Sequence, residues 1–252
     1  MTIALDADSW MPYPPVGDAP MTLYCLPHAG SGASTYLPWR ERLRPDLEVV
    51  PLQPPGRETR AHERPHVHVD PLVDELLTAM GERWRPPFAL FGHSMGALVA
   101  FELAHRLLEP GRPRPERLIL SARRAPHRSA WDPFAHDASD AELLTFLRGL
   151  GGTPSAVLDD PALRPALFRL MRADLGVDES YRHRPRPPLP IPITVFGGSA
   201  DPQVPVDELD RWSDCGEAGV DIRVVPGDHF FVLAERETVL GHIRECLTSR
   251  RR

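Results

Sequence analysis

The chain contains no lysine; all 29 of its basic side chains are arginine. That excludes a phosphate-loop lysine, a Schiff-base lysine and a Ser-Lys dyad at once. There is also no G-x-G-x-x-G and no G-K-[ST], so a nucleotide-cradling glycine loop is absent. Cysteine is scarce. Cys25, Cys215 and Cys246 are odd in number and scattered, and form neither a zinc spacing nor a disulfide framework. No apolar run approaches the roughly 20 residues of a membrane span. Met1 to Pro20 lacks a basic start followed by an apolar stretch, so no signal peptide is expected and the cytoplasm is the default location. Excess positive charge is missing too. A net charge of -6 gives no reason to expect a nucleic-acid partner.

What is present is enough for one sizeable α/β domain: 252 residues, 42% hydrophobic and 25% charged. Met1–Pro20 is Pro-rich and aperiodic and reads as a loose leader. Strands are expected at Thr22–Leu26, Leu47–Leu52, Phe88–Phe91, Arg117–Ser121, Ile193–Phe196 and Ile222–Val225. Helical spacing covers Val69–Arg83, Met95–Leu108, Val206–Asp214 and Glu235–Leu247. Alternation of this kind implies a mostly parallel sheet with helices on both faces. It breaks between about 122 and 190, where helical stretches at Asp140–Leu150 and Pro161–Leu175 flank Gly151-Gly152-Thr153-Pro154. That block reads as an insertion into the single domain 1–252, lying over the ligand-binding, C-terminal edge of the sheet. It is expected to be a mobile lid, the alternative being that its apolar faces simply pack on the core.

Gly92-His93-Ser94-Met95-Gly96 fits G-x-S-x-G between an apolar strand and a helix, the setting of a nucleophile elbow. A serine hydroxyl needs a base. The elbow architecture runs Ser, acid, His along the chain, with the His after the last strand. Of the eleven histidines, His229 in Gly227-Asp228-His229-Phe230 holds that place. His93 lies inside the elbow and should point away from Ser94; His28 is near in sequence; His66 and His68 read as solvated; the rest read as residents of Arg- and Pro-rich loops. For the acid, Asp201 after the Ile193–Phe196 strand is preferred to Asp228, because consecutive side chains diverge and Asp228 suits a turn. Oxyanion donors are expected at the backbone N–H groups of Met95 and Ala29, the latter in Leu26-Pro27-His28-Ala29-Gly30-Ser31-Gly32-Ala33.

Taken in order, Leu26-Pro27-His28-Ala29-Gly30, Gln53-Pro54-Pro55-Gly56-Arg57, Phe91-Gly92-His93-Ser94-Met95-Gly96-Ala97, Leu150-Gly151-Gly152-Thr153-Pro154, Gly198-Ser199-Ala200-Asp201 and Gly227-Asp228-His229-Phe230-Phe231 resemble the type II thioesterases of polyketide synthase and nonribosomal peptide synthetase pathways. The resemblance runs from about Leu23 to Leu247. It implies an α/β-hydrolase fold, a Ser94, Asp201, His229 triad, and no metal or cofactor. It implies hydrolysis of acyl thioesters from the phosphopantetheine arm of an acyl or peptidyl carrier protein, clearing stalled or misprimed groups. Two departures stand out: Ser31 replaces a common glycine, and Gln53-Pro54-Pro55-Gly56-Arg57 lacks an aromatic before Pro-Gly. Competing readings are a small-molecule esterase or lipase with the same triad, and a non-catalytic ligand receptor. A monomer is expected. Arg123, Arg124, Arg128, Arg182, Arg184 and Arg186, at the two ends of the helical block, form a candidate basic rim for an acidic carrier protein.

Overall fold

A computed structural model describes residues 7–128 and 137–249. Six strands form one sheet in the order β2-β1-β3-β4-β5-β6, and every neighbouring pair is parallel. They are β1 (Thr22–Leu26), β2 (Glu48–Pro51), β3 (Phe88–His93), β4 (Arg117–Ser121), β5 (Ile193–Gly198) and β6 (Val220–Val225). Alternation along each strand builds two cores. In β1, Tyr24 and Leu26 face one side while Leu23 and Cys25 face the other; in β3, Phe88 and Leu90 divide from Ala89 and Phe91 in the same way. The first face is covered by α1 (Ala7–Trp10), α3 (Val69–Met80) and α4 (Met95–Leu107), the second by α2 (Leu37–Leu43), α8 (Phe231–Ala234) and α9 (Arg236–Thr248). Burial on both faces explains why the strands read as continuous apolar runs.

Between β4 and β5 the described residues form α5 (Asp140–Leu150), α6 (Ser155–Asp159) and α7 (Arg164–Glu179) and no strand. Part of the expected insertion, 129–136, lies outside the described residues, as do 1–6 and 250–252. Helix α5 is closed at its start by a capping box, Ser139 with Glu142. The apolar faces do not simply pack on the sheet. Leu143, Leu147, Leu158, Phe168, Met171 and Leu175 form a third cluster of their own, which shares only the partly buried Ala29 with the main cores.

Helices α1, α2, α6 and α8 escape the sequence pattern. In α2, Pro38 sits in the first turn, where its missing N–H costs nothing. Helix α6 has five residues, too few for a period. Helix α7 also continues past Leu175 to Glu179.

The expectation of a loose leader is overturned for the described part of it. Trp10 is fully buried, its Nε1–H donates to Glu75 Oε1 at 3.2 Å, and the Arg60 guanidinium lies 5.1 Å from its ring centre. The backbone joins as well, with Gln53 N–H donating to Trp10 O at 2.8 Å and Val16 N–H to Glu48 Oε1 at 3.2 Å. A single aromatic in a Pro-rich stretch carries no periodic signal, yet it fills the space between α3 and the turn after β2. His66 is likewise not solvated: it is half-buried against Glu75, 2.7 Å away. Trp10→Ala is expected to cost about 3–5 kcal/mol, the range for emptying a buried tryptophan site. Urea unfolding at constant m-value measures it; a loose leader would leave the midpoint where it is.

Candidate active site

Ser94 stands where β3 turns into α4, with φ 53° and ψ -115°, a left-handed backbone that side-chain-bearing residues rarely adopt. The flanking glycines permit the turn. A Cβ on Gly92 would lie 2.0 Å from Gly96 O, and one on Gly96 would lie 2.3 Å from Leu26 O. Ser94 N–H donates to Ser121 O at 2.8 Å, which ties the elbow to β4.

His229 Nε2 lies 3.0 Å from Ser94 Oγ, and His229 Nδ1 lies 2.8 Å from Asp201 Oδ2. All three side chains are buried. Asp201 Oδ1 accepts the N–H groups of Gln203 at 2.8 Å and Val204 at 3.2 Å, so the carboxylate is held at both oxygens. An ionised carboxylate can only accept, so Nδ1 carries the ring proton and Nε2 is left to take one from Ser94. The loops after β5 and β6 are joined by Ser199 N–H to Val225 O and Ala200 N–H to Gly227 O, both 2.8 Å. Asp228 turns away and accepts Phe230 N–H at 2.8 Å, a local turn bond. Of the two carboxylates weighed for the acid, the geometry brings Asp201, not Asp228, to His229.

Two further imidazoles crowd the site. His93 lies with its ring 5.4 Å from that of His229 and its Nδ1 2.9 Å from Ser121 Oγ. His28 packs edge-on against His93 and Phe230, at 5.7 and 5.1 Å. Burial, then the charges of His229 and Arg57, hold His28 down to about 3; burial, then His229 and His28, hold His93 well below its ordinary value. Both stay neutral beside His229. The remaining histidines are not all loop residues, since His105 lies in α4 and His242 in α9; His136 lies outside the described residues.

Ala29 lies in the loop after β1, and Met95, directly after Ser94, opens the first turn of α4. As the first residue of the helix, Met95 has an N–H with no intrahelical acceptor. The next N–H groups beyond Ala29 are taken: Gly30 donates to Asp174 Oδ2 at 2.7 Å and Ser31 to His28 O at 3.1 Å. Asp174 of α7 is in turn paired with Arg57 through two contacts of 2.8 Å. The sequence motif contained Arg57 but gave it no role, and nothing in the pattern marked Asp174. Over the site, a Cβ on Gly152 would come within 2.4 Å of the Phe230 ring, so the glycine pair between α5 and α6 rests on the residue following the base.

Five of the six arginines of the expected rim are paired within the chain, the exposed Arg128 and Arg184 among them. Arg123 is buried against Asp178 at 2.6 Å, Arg128 meets Glu208 at 3.3 Å, Arg184 meets Asp70 and Arg186 meets Glu102. Arg182 donates to the carbonyls of Glu179 and Tyr181, both at 2.7 Å. In a lysine-free chain these side chains serve as ties, because guanidinium forks suit carboxylates and carbonyls. Among the described residues no group of three or more His, Cys, Asp or Glu side chains is arranged to hold a metal, and no helix is long and apolar enough to cross a membrane.

The profile of the thioesterase domain family matches residues 21–247. The chain belongs to that family. As a hydrolase acting on thioesters, this thioesterase is 34% identical to the gramicidin S biosynthesis protein GrsT of Aneurinibacillus migulanus over 92% of its own length and 91% of the relative's. It superposes on BorB, a type II thioesterase from the borrelidin biosynthetic cluster, with a TM-score of 0.86 and 39% identity, covering 95% of this chain and 98% of that one. RedJ, a thioesterase of the prodiginine pathway of Streptomyces coelicolor, gives 0.85 and 37%, with 95% and 98% covered. The thioesterase thus has the α/β-hydrolase architecture of its relatives.

The depressed His28 yields a prediction with a defined sign. Unfolded, its imidazole titrates near 6.5; folded, it binds a proton only near pH 3. The unfolded state therefore takes up more protons as pH falls below 6.5, and stability declines through that window toward 3. The slope for one such group is at most about 1.4 kcal/mol per pH unit. His28→Gln is expected to make the stability of the thioesterase fall less steeply between pH 6.5 and 4, measured by urea unfolding; an unchanged slope would show that His28 is not held neutral.

Proposed function

We propose that the protein is a serine thioesterase that hydrolyses acyl groups from the phosphopantetheine arm of acyl or peptidyl carrier proteins, clearing stalled or misprimed chains in polyketide or nonribosomal peptide assembly. The observation that carries the reading is the Asp201–His229–Ser94 relay, at 2.8 and 3.0 Å, mounted on a strained elbow. The relatives named for borrelidin, prodiginine and gramicidin S biosynthesis support the substrate class.

The chemistry follows from the atoms. His229 Nε2 accepts the Ser94 proton as Oγ attacks the thioester carbon. The carbonyl π pair moves to oxygen, where the N–H groups of Ala29 and Met95 receive it, aided by the positive end of α4. Collapse expels the thiolate of the arm, which takes the proton from His229. Water, deprotonated by His229, then attacks the acyl-serine through the same sequence and releases the free acid. Asp201 holds the imidazole in its productive tautomer and stabilises its charged form. Neither metal nor bound cofactor is needed for these steps. In this reading the chain acts as one domain and as a monomer in the cytoplasm. The helical segment within 122–190 serves as the lid, and its separate apolar cluster receives the acyl chain.

Ser94→Ala is expected to fold and to lose about a millionfold in kcat. Asp201→Asn should lose about ten-thousandfold, since the amide favours the wrong tautomer, while Asp228→Asn should change little. Near-normal turnover by folded Ser94→Ala, or a crippling Asp228→Asn, would sink the assignment. The substrate class is tested by presenting one acyl group on a carrier protein, on coenzyme A and as an oxygen ester. The carrier-bound thioester should have the highest kcat/KM; an advantage for the oxygen ester would favour an esterase.

A further inference from the structure

The Gln53-to-Arg57 motif has no part in the chemistry above, yet its side chains reach straight into the loop that bears Ala29. We propose that Arg57 and Asp174 are positioning residues for the oxyanion hole: a buried clamp, half from the turn after β2 and half from α7, that sets the direction of the Ala29 N–H. The proposal rests on the reading of Ala29 as an oxyanion donor.

The clamp is complete on the arginine side. Arg57 Nε and Nη2 donate to Pro55 O at 3.3 and 3.2 Å, Nη2 to Asp174 Oδ1 at 2.8 Å, and Nη1 to Asp174 Oδ2 at 2.8 Å and Ser31 O at 3.1 Å. These account for all five guanidinium N–H groups. Gln53 braces the same pieces: its Nε2 donates to Arg57 O at 2.8 Å and its Oε1 accepts Ala33 N–H at 2.7 Å.

From there the path to Ala29 is short. Ser31, held at its carbonyl by Arg57, donates from its N–H at 3.1 Å and its Oγ at 3.0 Å to His28 O. That carbonyl shares a peptide plane with the Ala29 N–H. The bond is trans, so fixing His28 O in one direction aims the Ala29 N–H in the opposite one. The following plane is fixed independently by Gly30 N–H on Asp174 Oδ2 at 2.7 Å. One turn earlier on α7, Met171 closes over Gly30, where a Cβ would lie 2.3 Å from its sulfur. Both peptide planes around Ala29 are thus tied to one ion pair, and that pair spans the lid helix and the scaffold.

Stability does not explain the arrangement. Arg57 and Asp174 are 5% and 1% exposed, and an ion pair that deep sacrifices hydration that an apolar pair of similar volume would not need. What the charged pair adds is bidentate direction. Oxyanion donors act only when aimed at the position the oxygen takes in the transition state, so the clamp belongs to kcat.

The test compares Asp174→Asn with the double variant Arg57→Met, Asp174→Leu, which removes both charges while filling the space. Each is measured with one acyl thioester and normalised to active sites titrated with a fluorophosphonate. For Asp174→Asn, kcat is expected to fall about ten- to hundredfold, below the full loss of a donor, with KM within about threefold. The inhibition constant of an acyl trifluoromethyl ketone, whose adduct on Ser94 carries the oxyanion, should rise by the same factor, while that of the free acid product stays put. The double variant should recover the thermal stability that Asp174→Asn loses and keep the loss in kcat. Recovery of kcat together with stability, a change confined to KM, or failure of the double variant to fold would each overturn the proposal by making the pair a structural tie. Ser94→Ala, run alongside, separates the two readings: if it is inactive while Asp174→Asn turns over normally, only the clamp falls; if it is active, the serine mechanism falls first.

Discussion

The close approach of three backbone segments at the elbow governs this molecule. Strand β3 must turn sharply into α4 while the end of β1 passes against the same spot, leaving no room for a Cβ at Gly92 or Gly96. Ser94, between them, absorbs the strain in a left-handed backbone. That one crossing raises the hydroxyl above the sheet edge, points the first turn of α4 at it, and brings the loop after β1 within reach. The parallel order of the sheet then delivers Asp201 and His229 from the ends of β5 and β6 on the same edge.

The rest of the site is built by tying loops to each other, and ionic contacts do much of it. Helix α7 is fastened at Asp174 to Arg57 and at Asp178 to Arg123, both pairs buried. Its last turns join the main core through Val177. Helices α5 and α6 have no buried ion pair among the described residues; Arg148–Asp159, between them, is exposed at both ends. The helical segment is therefore fastened unevenly: α7 by two buried ion pairs, α5 and α6 by exposed ones, with the Gly151-Gly152 junction resting on Phe230.

How much of this was legible in the sequence depended on the range of the signal. The strands, the helical segment and the Ser94, Asp201, His229 set follow from periodicity, turn residues and chain order, which are local or topological. Asp201 was separable from Asp228 because adjacent side chains diverge, a local fact. What could not be read were contacts set by packing between distant residues. Trp10 sits in a stretch without period. Helix α2 has seven residues and opens on a proline, too short a stretch to show a period. The arginines around 123 and 182 look like a solvated rim until their carboxylates are seen, since Asp178 and Glu102 are far off in sequence or inside a helix. Asp174 is the clearest case: on α7 it is one carboxylate among many, and only the fold sets it on Gly30.

The near-isolation of the apolar cluster in α5 to α7 has an evolutionary consequence. It shares Ala29 alone with the two sheet cores. Exchanges at Leu143, Leu147, Leu158 or Phe168 therefore touch neither sheet core directly, and Ala29 is the contact through which the cluster meets the first of them. A lineage can reshape this small interior repeatedly while inheriting the two sheet cores unaltered.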